Sequence, residues 1–373
     1  PWNVEITAAS VNNNESSGTW TASGSSSTIA NTAINSLLEA GTNVVVSTTG
    51  IGTEAGNITV SAPITRTSNV GGANLSLNAD NNISINSAVS ISGSGSNLNL
   101  NAGGAGGVAL NAAVTVDTLN VSVPGAGAVT QSAAMDVNNL KLVGTASNVT
   151  LTNASNRIGT LAANVNSLGL VSTTGANLSD PYGTGLYIGT VAGLNGVTAV
   201  GDVNIAVNNG NLFVNQNIAT TSTGATALVL NAGADLAVGA YTGATSSVNP
   251  YGFNIILSSG KTITLGSGGT GKLYSGSVAG SGQALSTYVG SGSGKFRYNS
   301  NASTTNYSQA LGTGLNLIYR QDPLLSVSSS SRSIIYGNSF SALTPTVSGL
   351  VNADTASGAL QGLSESLTGN SLS

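Results

Sequence analysis

In 373 residues this chain carries only nine Lys and Arg and thirteen Asp and Glu, no His and no Cys, for a net charge of −4. So sparse a set of ionisable groups excludes imidazole acid/base chemistry, soft-metal binding by thiolates and a basic track for nucleic-acid phosphates. Fifty glycines among Ser, Thr, Asn and 40% hydrophobic residues, with mean hydropathy +0.21, exclude the charged, apolar-poor composition of a disordered chain and point to an ordered all-β protein.

The chain opens Pro1-Trp2-Asn3-Val4 with neither Met nor a charged-then-apolar leader, as expected of a piece of a longer, processed protein. Lack of cysteine suits export of a long unfolded chain that must not form disulfides on the way. No apolar run approaches the ~18 residues of a membrane-spanning helix. The longest, such as Val44-Val45-Val46, are strand-sized. Strands of one kind are predicted there and at Asn57-Ile58-Thr59-Val60, Asn74-Leu75-Ser76-Leu77 and Asn82-Ile83-Ser84-Ile85.

The clearest repeat follows. The first aliphatics of Asn97-Leu98-Asn99-Leu100-Asn101, Thr118-Leu119-Asn120-Val121, Asn139-Leu140-Lys141-Leu142 and Gly159-Thr160-Leu161-Ala162 lie at 98, 119, 140 and 161, three steps of 21. A second series, Val108, Val129 and Val149, steps by 21 and 20, so two strands recur per unit of about 21 residues. Strict alternation puts Leu98 and Leu100 on one face and the asparagines on the other, and it leaves Lys141 pointing to water. Clusters such as Gly103-Gly104-Ala105-Gly106-Gly107 are read as tight turns needing positive φ.

Further along, Ile205 and Leu212, Leu228 and Leu236, and Ile255 and Ile263 read as the same two-strand unit at drifting length. No aromatic residue occurs between Trp20 and Tyr182, whereas all ten tyrosines lie from Tyr182 onward. That contrast predicts a thin rod followed by thicker coils with loops. Asp180-Pro181-Tyr182-Gly183 and Asn249-Pro250-Tyr251-Gly252 resemble two copies of one turn. After Tyr319-Arg320-Gln321-Asp322-Pro323, the segments Leu324-Leu325-Ser326-Val327 and Ser333-Ile334-Ile335-Tyr336-Gly337 read as strands of a separate small β domain.

Equal strands joined by short turns, without intervening helices, fit a right-handed parallel β-helix of ~21-residue coils, in which each strand pairs with its equivalent one coil away. The expected boundaries are 1–320 for the β-helix (thin to about 181, thicker over 182–320) and 321–373 for part of an immunoglobulin-like β domain. One coil buries too little apolar surface to offset the entropy of ordering its backbone, so the coils must fold as an array with capped ends. Antiparallel hairpins or a closed barrel before position 300 would contradict this architecture.

Several stretches resemble two-partner-secretion exoproteins, the filamentous-haemagglutinin-like adhesins of Gram-negative bacteria. Thr32-Ala33-Ile34-Asn35-Ser36-Leu37-Leu38-Glu39-Ala40-Gly41-Thr42-Asn43-Val44, Gly56-Asn57-Ile58-Thr59-Val60 and Leu75 through Ile85 are similar to that family's recurring coil. Ile335-Tyr336-Gly337-Asn338 with Val347-Ser348-Gly349-Leu350-Val351-Asn352-Ala353-Asp354-Thr355 is similar to the MBG domain, a bacterial immunoglobulin-like module. The resemblance implies a right-handed β-helix, export through an outer-membrane secretion partner, and adhesion or biofilm-matrix work at the outer surface of a Gram-negative bacterium. The partners it implies are a polysaccharide or another cell-surface protein. Nothing at Pro1 resembles the family's secretion domain, so an internal or distal piece is expected.

No cofactor, metal site or catalytic set is expected, and the chain reads as a non-enzyme. A polysaccharide lyase or hydrolase needs carboxylates converging on one face, whereas eight Asp lie scattered at 80, 117, 136, 180, 202, 235, 322 and 354. Asp117 and Asp136, 19 apart, could stack, although a turn role explains each. An ice-binding solenoid needs threonines in register with the 21-residue step, and Thr220-Thr221 and Thr262-Ile263-Thr264 are not. The best ligand-patch candidate is Lys295, Phe296, Arg297 and Tyr298, with Tyr307 and Tyr319 downstream, because alternating cation and aromatic can meet sugar rings or a polar partner. The competing reading has Phe296 and Tyr298 capping the rod from one strand face, with Lys295 and Arg297 solvated. Phe213, facing out of its strand, is expected to pack under a loop.

Overall fold

The structure, a computed structural model, describes residues 1–48, 51–173, 185–239, 252–328 and 345–359. Among these, one sheet gathers 27 strands, and all but one of its strand pairings are parallel. The cause is local: alternating aliphatics in strands such as Asn97–Ala102 give a buried-exposed pattern of period two, and each strand finds its partner in a near-copy of itself.

Leu98 lies in register with Leu119, Leu119 with Leu140 and Leu140 with Leu161, as the 21-residue step predicts. This leucine ladder begins upstream with Val44 on Leu75 and Leu75 on Leu98. The second series also holds, Val108 on Val129 and Val129 on Val149. That valine ladder reaches back through Ile83 and Ile58 to Val4 and forward through Leu168, Val203 and Leu228.

A third ladder escapes the sequence reading. It runs from Ile64–Arg66 through Val89–Ile91 into Val114–Ser122 and Met135–Leu151, with Ile64, Val89, Val114 and Met135 stacked. Its first two strands are three residues long, and its later members merge with those of the leucine ladder, so no separate series stands out. The last members, Met135–Leu151 and Arg157–Ser172, are continuous through all three ladders.

The outward face is stitched by amides. Asn97 donates to Asn74 Oδ1 (2.7 Å), Asn101 to Asn78 Oδ1 (2.7 Å) and Asn120 to Asn99 Oδ1 (2.9 Å), each across one repeat. At one corner the asparagines act on the backbone: Asn3 Oδ1 accepts from the Asn57 N–H, Asn57 Oδ1 from that of Asn82, and Asn82 Oδ1 from that of Gly107. Backbone groups that leave the ladder at a bend are thereby satisfied. Lys141 is half-buried and not simply solvated, its Nζ donating to the Ala192 carbonyl at 2.9 Å.

The glycine-rich corner needs a different explanation from positive φ. Of the 103–107 cluster only Gly104 has positive φ (55°). A Cβ on Gly127 would lie 1.9 Å from the Gly106 carbonyl oxygen, and one on Gly125 1.7 Å from that of Gly104. Close approach of one corner to the next, not left-handed backbone, demands glycine there.

Two further expectations are corrected. Helices do intervene, and residues assigned to a β coil, Asn31–Glu39, form one, burying Ile34 and Leu38. The bar on antiparallel hairpins before position 300 also fails: Asn13–Ser16 with Thr19–Ala22, and Thr190–Val191 with Leu194–Asn195, are such hairpins. The first sits at the start of a ladder and the second forms a sheet of its own, so the ladders themselves stay parallel. The physical reason for the helix and the first hairpin is end closure. Asn31–Glu39 packs on the first strand of the third ladder, where Asn35 Oδ1 accepts from the Thr65 N–H, Glu39 from the Thr67 N–H, and Asn31 donates to the Pro63 carbonyl. Those side chains replace a missing strand. The fully buried Arg66 fastens the junction, Nε donating to the Leu38 carbonyl of the helix's last turn (2.8 Å) and Nη2 to the Val70 carbonyl (3.0 Å). The hairpin covers the leucine ladder, with Trp20 set on Val46.

Beyond residue 185 the repeat lengthens, and the predicted equivalences shift. Leu212 pairs with Ile255 and Ile218 with Ile263, steps of more than 40 residues, while Ile205 pairs with Leu230 and Leu236 lies in no strand. Chain inserted after Ala232 breaks the period, so counting from Leu228 to Ile255 crosses from one ladder to another. Phe213 stacks on Tyr187, ring centroids 4.5 Å apart. After the ladders come one short antiparallel pair, Ser326–Ser328 with Thr346–Ser348, and a turn of helix at Ala356–Ala359. The turn copies at 180–183 and 249–251 and the strand expected at 333–337 lie outside the described residues.

Replacing the fully buried Leu140 by Ala should lower stability to urea by about 2–5 kcal/mol. Asn57→Ala, which removes one corner acceptor, should cost about 1 kcal/mol. An equal loss for both would contradict inward stacking as the main source of stability.

Candidate functional site

The end of the valine ladder places the predicted patch. Thr270–Ser275 pairs with Gly314–Tyr319, and the two-residue strand Phe296–Arg297 pairs with Leu317 and Ile318 beyond it. Phe296 thus continues the Leu273–Leu317 column and is buried, and Tyr298 stacks on Tyr319 with centroids 5.9 Å apart. Both cap the column, as one of the two readings expected.

Arg297 departs from that reading. It is only 8% exposed, because the chain from Asn299 to Thr313 folds back over it. Nη1 donates to the Gly294 and Phe296 carbonyls (both 2.8 Å), Nη2 reaches the Ala310 carbonyl (3.3 Å), and the guanidinium lies 5.4 Å from the Tyr307 ring centroid. Lys295 is half-buried, its Nζ donating to the Thr313 carbonyl at 3.1 Å. The two cations therefore hold a loop instead of standing in solvent.

Residues 350–355 dock against this end. The Tyr298 hydroxyl donates to Asp354 Oδ2 (2.6 Å) and accepts from Asn352 Nδ2 (3.0 Å), while the Gly292 N–H donates to the Asn352 carbonyl (2.8 Å). Consecutive positive φ at Asn352 (51°) and Ala353 (57°) turn the chain so that both side chains reach the tyrosine. A groove of about 520 Å³ opens between the two segments. Phe296, Pro323, Leu325 and Leu350 line its apolar part, and Arg297, Gln309, Asp322 and Asp354 its polar part.

Sequence reasoning found Phe296, Arg297 and Tyr298 but missed Gln309, Asp322 and Asp354. Those three lie on other segments, and the local pattern offers only the Asp322-Pro323 punctuation. The other carboxylates singled out are dispersed. Asp136 pairs with Arg157 at 3.5 Å instead of stacking on Asp117, which accepts from the Gly95 N–H (2.6 Å) and from Asn138 Nδ2 (2.7 Å). Among the described residues no three His, Cys, Asp or Glu side chains cluster as a metal site would require, and no helix is long and apolar enough to cross a membrane.

Burial, reinforced by the Asp354 carboxylate, holds the Tyr298 hydroxyl protonated far above the usual tyrosine range, and burial does the same for Tyr319. In alkali the unfolded chain loses these protons while the folded chain keeps them, so stability should fall as pH rises through the ordinary tyrosine pKa of 10.0. Phenolate absorbance should show both tyrosines titrating only as the fold opens; reversible ionisation of all tyrosines in the folded protein would contradict the site geometry. Tyr298→Phe should weaken the alkaline dependence.

No family model matches this chain, and neither a curated protein nor a solved structure matches it.

Proposed function

We propose that the chain winds as a right-handed parallel β-helix and serves as the elongated stalk of a secreted bacterial adhesin or biofilm-matrix protein, mediating cell-cell or cell-surface attachment. One observation carries the reading. From Ser27–Ala30 and Val4–Thr7 through Ile58–Val60 and its successors to Gly314–Tyr319 and Phe296–Arg297, thirteen described strands follow one another in a single ladder. At ~4.8 Å per strand that run extends roughly 60 Å. Three such ladders turning about a common apolar interior make a stiff spacer. The scarcity of charge and the amide-rich outer face suit a repetitive surface scaffold better than a reaction centre.

On this reading the chain is exported through an outer-membrane secretion partner to the surface of a Gram-negative bacterium. The hairpin Ser326–Ser328 with Thr346–Ser348 belongs to an MBG-like module, and the groove beside Tyr298 is the contact point for a polysaccharide or another surface protein.

Beads coated with the protein should aggregate with bacterial cells or matrix more than beads carrying an inert protein of similar charge, and single particles should appear as rods at least ~60 Å long. Rods that confer no attachment would leave a spacer without adhesive function; round particles would remove the stalk itself.

A further inference from the structure

The lining of the groove beside Tyr298 narrows what it can hold, and this narrowing rests on the adhesive reading just given. We propose that the groove is a saccharide subsite that accepts neutral, non-acidic sugar rings. Its volume of about 520 Å³ falls within the range of small-ligand sites. The apolar surface of Phe296, Pro323, Leu325 and Leu350 offers packing for the C–H face of a pyranose.

The polar groups decide the chemistry. Among the described residues the Asp322 carboxylate and the Gln309 amide have no hydrogen-bond partner, and Asp354 uses Oδ2 for Tyr298 and leaves Oδ1 unengaged. Carboxylate oxygens accept strongly from hydroxyls. A donor stands beside them in the Gln309 amide nitrogen. A sugar hydroxyl both donates and accepts, so this mixed set matches it, whereas a lysine ammonium only donates.

Acidic sugars are disfavoured by the same inventory. The Arg297 Nη atoms are committed to the carbonyls of Gly294, Phe296 and Ala310, and Lys295 Nζ to that of Thr313. Among the described residues no free guanidinium fork therefore faces a uronate carboxylate, while Asp322 and Asp354 repel one.

The test is titration calorimetry of the whole chain with neutral glucan, galactan and mannan oligosaccharides, oligogalacturonate and a lysine-rich peptide. At least one neutral oligosaccharide should bind with one-to-one stoichiometry, with oligogalacturonate and the peptide much weaker. Asp322→Ala and Gln309→Ala should each weaken that binding by about tenfold or more. Both side chains are exposed, so these variants should fold, as unchanged circular dichroism and unchanged tyrosine titration would verify. Absence of binding to any saccharide, a preference for oligogalacturonate or for the peptide, or indifference to both substitutions would overturn the assignment. Coated beads that still attach to cells while no saccharide binds would overturn the groove and leave the adhesive reading standing; loss of attachment in the wild-type beads would strike that reading instead.

Discussion

Everything in this protein depends on one strand lying in register on its own near-copy a repeat away. Parallel pairing of Asn74–Ala79, Asn97–Ala102 and Val114–Ser122 fixes the backbone hydrogen bonds, and the same register sets leucine on leucine inside and amide on amide outside. A slip of one residue would turn every aliphatic outward and every asparagine inward. The composition follows from that constraint: few side chains other than short aliphatics, amides, small hydroxyls and glycine fit a lattice repeating at the spacing of a β-sheet.

The constraint also creates a problem at each end, where unpaired N–H and C=O groups would face solvent or another chain. Closure takes several forms. Side chains of the helix Asn31–Glu39 satisfy the edge at Ile64–Arg66, and the Tyr288 hydroxyl of the helix Val278–Val289 both donates to the Ile263 carbonyl and accepts from its N–H. At the far end of the valine ladder, closure and site coincide. Phe296 and Tyr298 extend the stacked columns, and what folds over them leaves a groove of mixed polarity. A terminus is the place where a periodic structure can depart from its repeat, since no further strand depends on the residues there.

The inner register is legible in the order of residues alone. Leu98, Leu119, Leu140 and Leu161 could be counted into a column because equal spacing and strict alternation are properties of neighbouring residues. The same reading offers Phe296 and Tyr298 as caps from one strand face, as one of two readings it leaves open. The helix at Asn31–Glu39, whose apolar spacing at Ile34 and Leu38 serves a helix as well as a coil, and the crossing of ladders after Ala232, where inserted chain destroys the count, emerge only in the folded chain. Folding alone turns Arg297 inward to carbonyls and brings Gln309, Asp322 and Asp354 together across one groove. Periodicity carries information between positions one repeat apart, whereas closure of an end brings together segments that share no period, and their meeting is fixed by which polar groups find partners when water is excluded.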